Sequence, residues 1–309
     1  MKRILTALSL SLLIAGLGLG CRKPKTVDTT ISSTELMATA DKQMKQGKFV
    51  EARLTLRHLE QYLPGSPEFP KAKLMLGDSF FFQGSPSFPE AEVEYSSFLN
   101  YFPRHELRDY ALYHRALCHF SSIESAERDQ TETRKALEGF QQLLTESPGS
   151  PYAGEAKAKI LQGWRRIAEH ELVVGIFYVN VYYYPGAEQR LKALLETYPD
   201  YVDRERAYFY LGEALRERLF TQEEIAQYEK DYAAKLQKPD LKVLTKEQGE
   251  QFEKDFNTFT TERIKAYRAE AKSYYQKLVE SYPGSEWARR AADRLVTMGT
   301  SGVKEELDS

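Results

Sequence analysis

The sequence is poor in cysteine and tryptophan, with two of each among 309 residues. Cys21 follows an apolar run, whereas Cys118 lies within an amphipathic segment, so the two are not expected to form a disulfide. This excludes the disulfide framework of a small secreted domain. Cys118 stands on the apolar side of a helical pattern, which is typical of a small core residue and not of a nucleophile.

Charge of one sign is also lacking. The chain has 43 Lys and Arg against 45 Asp and Glu, a formal net charge of −2 at pH 7. Such a chain has no strong positive field to attract a polyanion, and we expect no nucleic-acid partner. Because 42% of the residues are hydrophobic and 28% are charged, the composition is that of a folded globular protein and excludes general disorder.

The motifs that usually mark enzymes are missing from the sequence. It has no GxxxxGK[ST] phosphate loop, no GxGxxG fingerprint and no GxSxG nucleophile elbow. It also has no HExxH or CxxC spacing, so no zinc signature is present. His114 and His119, five residues apart, would face different sides of a helix. We therefore expect no enzymatic activity, no metal and no cofactor.

The only long apolar run lies at the amino terminus. Lys2 and Arg3 precede an uncharged stretch that ends at Gly20. The stretch falls short of the ~20 residues that a membrane-spanning helix needs. A short basic segment, an apolar run and small residues in this order are typical of a signal peptide, which we place at residues 1–20.

The residues around Cys21 resemble the lipobox of bacterial lipoproteins, in which the cysteine is acylated after cleavage. Gly18 departs from that pattern, since leucine is usual three positions before the cysteine. We expect lipid attachment at Cys21, with an ordinary cleavage site as the alternative, followed by a lipidated tether over residues 21–33. Arg22 at the next position, by resemblance to the sorting rule of enteric bacteria, indicates the outer membrane and its periplasmic face.

One spacing recurs five times along the rest of the chain. An alanine is followed by a bulky apolar residue four positions later, by a second at seven, and by proline at twelve. The first three positions share one face of an α-helix, and proline is tolerated there only once the helix has ended. The five sets are Ala52, Leu56, Leu59, Pro64; Ala91, Tyr95, Phe98, Pro103; Ala136, Phe140, Leu143, Pro148; Ala187, Leu191, Leu194, Pro199; and Ala271, Tyr275, Leu278, Pro283.

Another helical pattern precedes each of these helices. In two of them the pairs Leu76-Gly77 and Leu211-Gly212 resemble the small-residue position in the first helix of a tetratricopeptide repeat. The sequence therefore predicts an all-α fold: a tetratricopeptide-repeat superhelical solenoid of about five helix hairpins plus a capping helix.

The spacing also divides the chain. We call the alanine that begins each set its marker alanine. The last one, expected near position 224, appears at Ala271, and the intervening segment is rich in Glu, Lys and Gln. We interpret it as an insertion of two charged helices, with disorder as the alternative. The predicted parts are repeats 1–4 and the first helix of repeat 5 at 34–218, the insertion at 219–261, the second helix of repeat 5 and the capping helix at 262–298, and a frayed tail at 299–309.

The first helices of a repeat solenoid line its concave side, where extended peptides bind. Packing between repeats is the alternative for Met44, Phe81 and Phe82. If they are exposed, an extended segment with an aromatic end is the ligand they suit. In repeats 1 and 2 the helical register places eight residues on this side: Met37, Asp41, Met44, Lys71, Leu74, Asp78, Phe81 and Phe82.

Four strings in the middle of the chain resemble the outer-membrane barrel-assembly lipoprotein family, BamD. The resemblance covers about residues 34–218 and not the insertion. The strings are Asp109-Tyr110-Ala111-Leu112-Tyr113, Arg128-Asp129-Gln130, Ser150-Pro151-Tyr152, and Gln189-Arg190-Leu191 leading to Tyr198-Pro199-Asp200.

The resemblance implies a non-enzymatic scaffold of the β-barrel assembly machinery, anchored to the membrane by lipid and accompanied by other assembly lipoproteins. It implies that the early repeats bind unfolded barrel precursors and that the later repeats dock on the POTRA domains of the barrel subunit. Arg190 matches the family's arginine at that docking surface. An arginine there suits a charge-assisted pair with a partner's carboxylate.

Two other functions fit parts of the sequence. A different periplasmic tetratricopeptide-repeat lipoprotein, serving secretin or pilus assembly or cell-envelope division, would share the leader and the repeats. An envelope enzyme acting on peptidoglycan, with the insertion as a lid, would need a nucleophile–base pair or a metal cluster, and the sequence offers neither.

Overall fold

The computed structural model describes residues 31–198, 200 and 203–307, and side chains up to residue 299. The predicted signal peptide and Cys21 lie outside the described residues, as does the tether up to residue 30.

Twelve α-helices and one short 3₁₀ turn at Leu241–Val243 form the described part of the chain, in which no strand occurs. The helices are α1 (Ser33–Lys45), α2 (Phe49–Tyr62), α3 (Phe69–Phe81), α4 (Phe88–Tyr101), α5 (Arg108–Ser121), α6 (Thr131–Glu146), α7 (Ala153–Asn180), α8 (Tyr184–Thr197), α9 (Arg204–Arg216), α10 (Gln222–Lys235), α11 (Lys246–Ser281) and α12 (Glu286–Leu307).

The helices pack as successive hairpins. The pairs α1 and α2, α3 and α4, α5 and α6, and α7 and α8 form repeats 1–4, and α9 packs against α11 to form repeat 5, which α12 closes. All five marker alanines are at most 1% exposed, as expected where two helices approach most closely. The prediction of a tetratricopeptide-repeat solenoid of five hairpins with a capping helix is confirmed.

Both ends of the described solenoid extend further than the sequence predicts. Helix α1 begins at Ser33, because the Ser32 hydroxyl accepts the Glu35 N–H at 3.2 Å and the Glu35 carboxylate accepts the Ser32 N–H at 3.0 Å. This capping box fixes the start of the helix. At the other end α12 continues through Leu307, into the predicted tail, because no proline interrupts it.

The insertion consists of α10, the 3₁₀ turn and the outer half of α11, residues 246–263, and we call these residues the arm. Residues 264–281 form the inner half of α11. Helix α11 has 36 residues, whereas α2, α4 and α8 have 14 each. Aromatic rings join the arm's two helices: Tyr228 of α10 lies 4.4 Å from Phe259 and 5.4 Å from Phe256 of α11, measured between ring centroids. The arm is therefore a helical hairpin with its own apolar seam.

The base of the arm is fixed by Arg218, which is 8% exposed. Its guanidinium donates to Glu188 of α8 at 2.9 Å and to Glu224 of α10 at 2.8 Å. The same guanidinium lies 5.1 Å from the ring centroid of Tyr267 on α11. One side chain thus joins repeat 4, the arm and repeat 5, and a buried arginine with two carboxylate partners holds such a junction in one arrangement.

Candidate binding surfaces

Two of the residues predicted to bind precursors are core residues. Met37 is 8% exposed and packs with the buried side chains of α1, α2 and α3. Leu74 is 4% exposed and packs with those of α4 and α5. The prediction that these two line an open surface is therefore corrected, because neighbouring helices cover the face of α1 that carries Met37 and the face of α3 that carries Leu74.

The other two predicted residues of repeat 1 stay accessible. The Asp41 side chain is 48% exposed, and its carboxylate accepts from Lys45 at 2.6 Å. Met44, one turn further along α1, is partly exposed, and Lys71 at the start of α3 is exposed. The exposed ion pair between Asp41 and Lys45 contributes little stability and leaves both groups available to a ligand.

Asp78 accepts hydrogen bonds from within the protein. The Tyr95 hydroxyl of α4 and the Tyr110 hydroxyl of α5 donate to its Oδ1, at 2.6 and 2.7 Å. The ring of Tyr95 reaches this carboxylate because Gly77 has no side chain: a Cβ there would lie 2.6 Å from the ring. Asp78 therefore holds repeats 2 and 3 together.

Repeat 5 repeats this arrangement. A Cβ on Gly212 would lie 2.4 Å from the ring of Tyr275, whose hydroxyl donates to Glu213 at 2.5 Å. In both repeats the first helix has a glycine followed by an acid, and the second helix has a tyrosine four positions after its marker alanine. This pairing was not predicted, although Gly77-Asp78 and Gly212-Glu213 together with the two tyrosines are visible in the sequence.

The two acids differ in their charged neighbours, and their pKa values move in opposite directions. Burial raises the pKa of Asp78, and the two tyrosine hydrogen bonds only partly offset this. Burial acts the same way on Glu213, but hydrogen bonds from Arg294 and Tyr275 and the charge of Arg216 bring its pKa below the ordinary value. A carboxylate near arginines stays ionised, whereas one among tyrosines binds its proton more tightly.

This difference predicts opposite pH dependences of stability. The Asp78 contribution is greatest at low pH and is lost as pH rises through its raised pKa; the Glu213 contribution is present near neutrality and is lost as pH falls. The free energy of unfolding of the parent minus that of Asp78→Asn should therefore increase from pH 7 to pH 4. The same difference taken with Glu213→Gln should decrease. Urea unfolding at both pH values measures this, and differences of the same sign would contradict it.

Phe81 and Phe82 end α3 with different exposures. Phe81 is partly buried, with its ring centroid 5.5 Å from that of Phe88 and 5.8 Å from that of His114. Phe82 is 57% exposed, and its ring meets that of Phe81 edge to face at 5.6 Å. Phe82 is thus an accessible aromatic ring that packs against the partly buried ring of Phe81.

The tertiary structure joins two of the strings on which the family resemblance rests. Tyr113 of the first string stacks on Tyr152 of the third, with ring centroids 4.9 Å apart and planes at 15°. The Tyr113 hydroxyl donates to Glu155 at 2.6 Å. Burial raises the pKa of this tyrosine most, and the hydrogen bond to Glu155 and the charge of Glu155 raise it further. These residues pack repeat 3 against repeat 4 and maintain the course of the solenoid.

Arg190 has a partner within repeat 4. Its Nη1 donates to the Glu171 carboxylate of α7 at 2.5 Å, and its guanidinium lies 5.7 Å from the ring centroid of Tyr178. Burial by itself lowers the pKa of Arg190, but the hydrogen bond and charge of Glu171 raise it overall. The side chain is 38% exposed. Arg190 therefore presents a fixed charge and retains N–H groups that Glu171 does not use.

Two open cavities flank Trp164 of α7, which is 45% exposed. The first, of about 560 Å³, lies against α6, and Leu137 and Ile160 are among the residues that line it. The second, of about 300 Å³, lies against the end of α8 and includes Tyr198.

No group of three or more metal-binding side chains occurs in the part of the chain that the structure describes. None of the described helices is long and apolar enough to cross a membrane.

A family model described as "YfiO: Outer membrane lipoprotein" matches residues 29–232, well over half of the 309. The chain belongs to this outer membrane lipoprotein family. The matched stretch includes repeats 1–4 and α9 and ends within α10, so it leaves out all of α11 and α12. A tetratricopeptide-repeat model matches residues 268–285, the inner half of α11 and the turn after it.

Relatives in this family carry the name "Outer membrane protein assembly factor BamD". The Vibrio cholerae protein is 27% identical over 199 residues, covering 61% of this chain and 82% of the relative. The Haemophilus influenzae protein is 27% identical over 217 residues, covering 67% and 82%. The Caulobacter vibrioides protein is 27% identical over 201 residues, covering 65% of each chain. A solved tetratricopeptide repeat protein from Parabacteroides merdae is 19% identical and covers 89% of this chain and 97% of its own, at a TM-score of 0.31, too low to support an inference.

Proposed function

We propose that this protein is a non-enzymatic scaffold lipoprotein of the outer-membrane β-barrel assembly machinery. In this proposal Cys21 carries the lipid that anchors it to the periplasmic face of the outer membrane. Its repeats bind unfolded barrel precursors and the POTRA domains of the barrel subunit, alongside other assembly lipoproteins. Family membership and the relatives' shared name support this assignment, as does a solenoid of five hairpins, a fold that binds other polypeptides along its length.

The geometry of Arg190 carries the docking part of the proposal. The arginine lies on α8, paired with Glu171 and close to the ring of Tyr178, and its side chain is 38% exposed. Fixing a long side chain before binding reduces the conformational entropy that is lost when a partner binds. A partner carboxylate can then take the guanidinium N–H groups that remain.

The precursor-binding part of the proposal rests on fewer residues than the sequence predicts. Phe82, with its ring supported by Phe81, and the accessible Asp41 and Met44 remain candidates. Met37, Leu74 and Asp78 act in the core or between repeats. An exposed aromatic ring and a flexible thioether each suit an extended segment that ends in an aromatic residue.

A charge-swap variant tests the docking surface. We expect Arg190→Glu combined with Glu171→Arg to keep the ion pair within repeat 4 and to reverse the charge that α8 presents. It should fold with the Tm of the parent but fail to co-purify with the POTRA-bearing barrel subunit after mild detergent extraction. Pull-down and thermal unfolding measure the two properties. If the charge-swap variant still co-purifies fully, Arg190 is not the docking residue.

Two further variants complete this experiment. Glu171→Gln removes the charged partner of Arg190 without changing the charge of Arg190, and we expect this variant still to co-purify with the barrel subunit. Phe82→Ser should also co-purify with the barrel subunit, since Phe82 lies in repeat 2. It should, however, lower the yield of unfolded barrel precursor crosslinked to the scaffold. An unchanged yield would exclude Phe82 from the precursor site.

A further inference from the structure

An exposed apolar patch surrounds the turn between α7 and α8. It consists of Phe177 and Val181 at the end of α7, 56% and 49% exposed, and Tyr182 and Tyr183 in the turn, 78% and 53% exposed. Phe177 and Val181 are four residues apart and share one face of the helix. Aromatic side chains in an exposed, contiguous patch are typical of protein interaction sites.

Tyr182 adopts a backbone conformation that disfavours a side chain. Its φ is +62°, whereas the turns within repeats 1 and 2 reach this region with Gly47 and Gly84, at +71° and +82°. Glycine adopts positive φ freely, while a residue with a Cβ does so only at an energetic cost. Tyr182 is also the most exposed large apolar side chain of the described residues. Core packing therefore does not explain why tyrosine stands where glycine suits the backbone.

The patch is continuous with Arg190. The ring of Tyr178 lies 5.7 Å from the Arg190 guanidinium and 5.4 Å from the ring of Tyr183, edge to face. Tyr183 is fixed against Gly186, since a Cβ on that glycine would lie 2.3 Å from its ring. A single surface of repeat 4 thus presents a positive charge followed by a row of apolar side chains.

We infer that this patch and Arg190 together bind one partner: a folded protein domain that presents an apolar area beside a carboxylate. The inference rests on the proposed function, because the partner is the one that docks on Arg190, and it adds the apolar half of the contact. Charge favours a protein over a lipid surface. Arg190 is the only lysine or arginine between positions 170 and 190, whereas a membrane-binding patch carries several.

Substitutions that suit the backbone separate binding from folding. Tyr182→Gly and Tyr182→Asn remove the ring and keep residues that tolerate positive φ. We expect each to weaken binding to the purified POTRA region of the barrel subunit by about tenfold or more, as for an interface hot spot. The Tm should equal or exceed that of the parent. Leu54→Ser, at a side chain that is 69% exposed on α2, is the matched control and should leave affinity unchanged.

Affinity is measured by biolayer interferometry with the full mature chain. If the parent binds the POTRA region and both Tyr182 variants bind equally well, the patch plays no part, while the Arg190 docking stands. If the parent does not bind, both proposals fail. A lower Tm in both variants would show that Tyr182 is structural and overturn the inference. Binding to vesicles of phosphatidylethanolamine and phosphatidylglycerol that depends on Tyr182 would assign the patch to lipid instead.

Discussion

Replacing Lys73 with methionine is expected to lower the free energy of unfolding by about 3 kcal/mol. Lys73 is 3% exposed, and its ammonium lies 2.8 Å from Glu60 and 3.3 Å from Glu94, which is itself 5% exposed. Removing one partner of a buried ion pair costs about 3–5 kcal/mol, because it leaves the other charge buried. We expect the lower end of this range, since Arg57 still contacts Glu94. Urea unfolding followed by circular dichroism measures the change.

Two variants control this result. Lys45→Met removes an ion pair with Asp41 in which the lysine is 74% exposed, and its effect should stay below about 1 kcal/mol. Lys73→Met combined with Glu94→Leu removes both buried charges and should recover much of the lost stability. Equal losses in Lys73→Met and Lys45→Met would show that burial does not determine the strength of these pairs.

Replacing Gly212 with alanine should destabilise the protein by about 1–3 kcal/mol, although alanine is the better helix former. The added Cβ would lie 2.4 Å from the ring of Tyr275, which is fully buried and fixed by its hydrogen bond to Glu213. Gly249→Ala on α11 is the matched change: nothing lies within 4 Å, and we expect a gain of about 0.5–1 kcal/mol. Opposite signs in urea unfolding are the expected result.

A double variant identifies the cause of the loss at Gly212. Repeat 1 pairs Ala40 with Leu56 at the corresponding positions, and both are fully buried. Gly212→Ala with Tyr275→Leu copies that pair, and we expect it to be less destabilised than the sum of the two single variants. Additive losses would mean that the glycine and the tyrosine do not interact.

The sequence predicted the repeats well because their signals are local. The spacing of Ala187, Leu191 and Leu194, which are at most 1% exposed, defines one helix face whatever the helix packs against. The insertion was visible as an interruption of that spacing, but the partners of Arg218 were not. The boundary of repeat 1, predicted at residue 34, left out Ser32, whose capping box with Glu35 starts α1 at Ser33.

The candidate sites were predicted less well, because burial and pairing depend on helices distant in sequence. Helical register alone placed Met37 and Phe82 on the same kind of surface, yet one is 8% exposed and the other 57%. The Arg190 partner, Glu171, lies 19 residues away on the preceding helix. Neither spacing nor composition indicates which of several acids will meet a given arginine.

The sequence by itself determined the helical repeats, their number and the break between α9 and the inner half of α11, since each follows from the periodicity within one helix. The tertiary structure alone decided which side chains remain available for binding. It buried Leu74, gave Asp78 two tyrosines and left Tyr182 exposed in a left-handed turn. The physical reason is that periodicity is a property of a single helix, whereas accessibility is determined by the helices that pack around it.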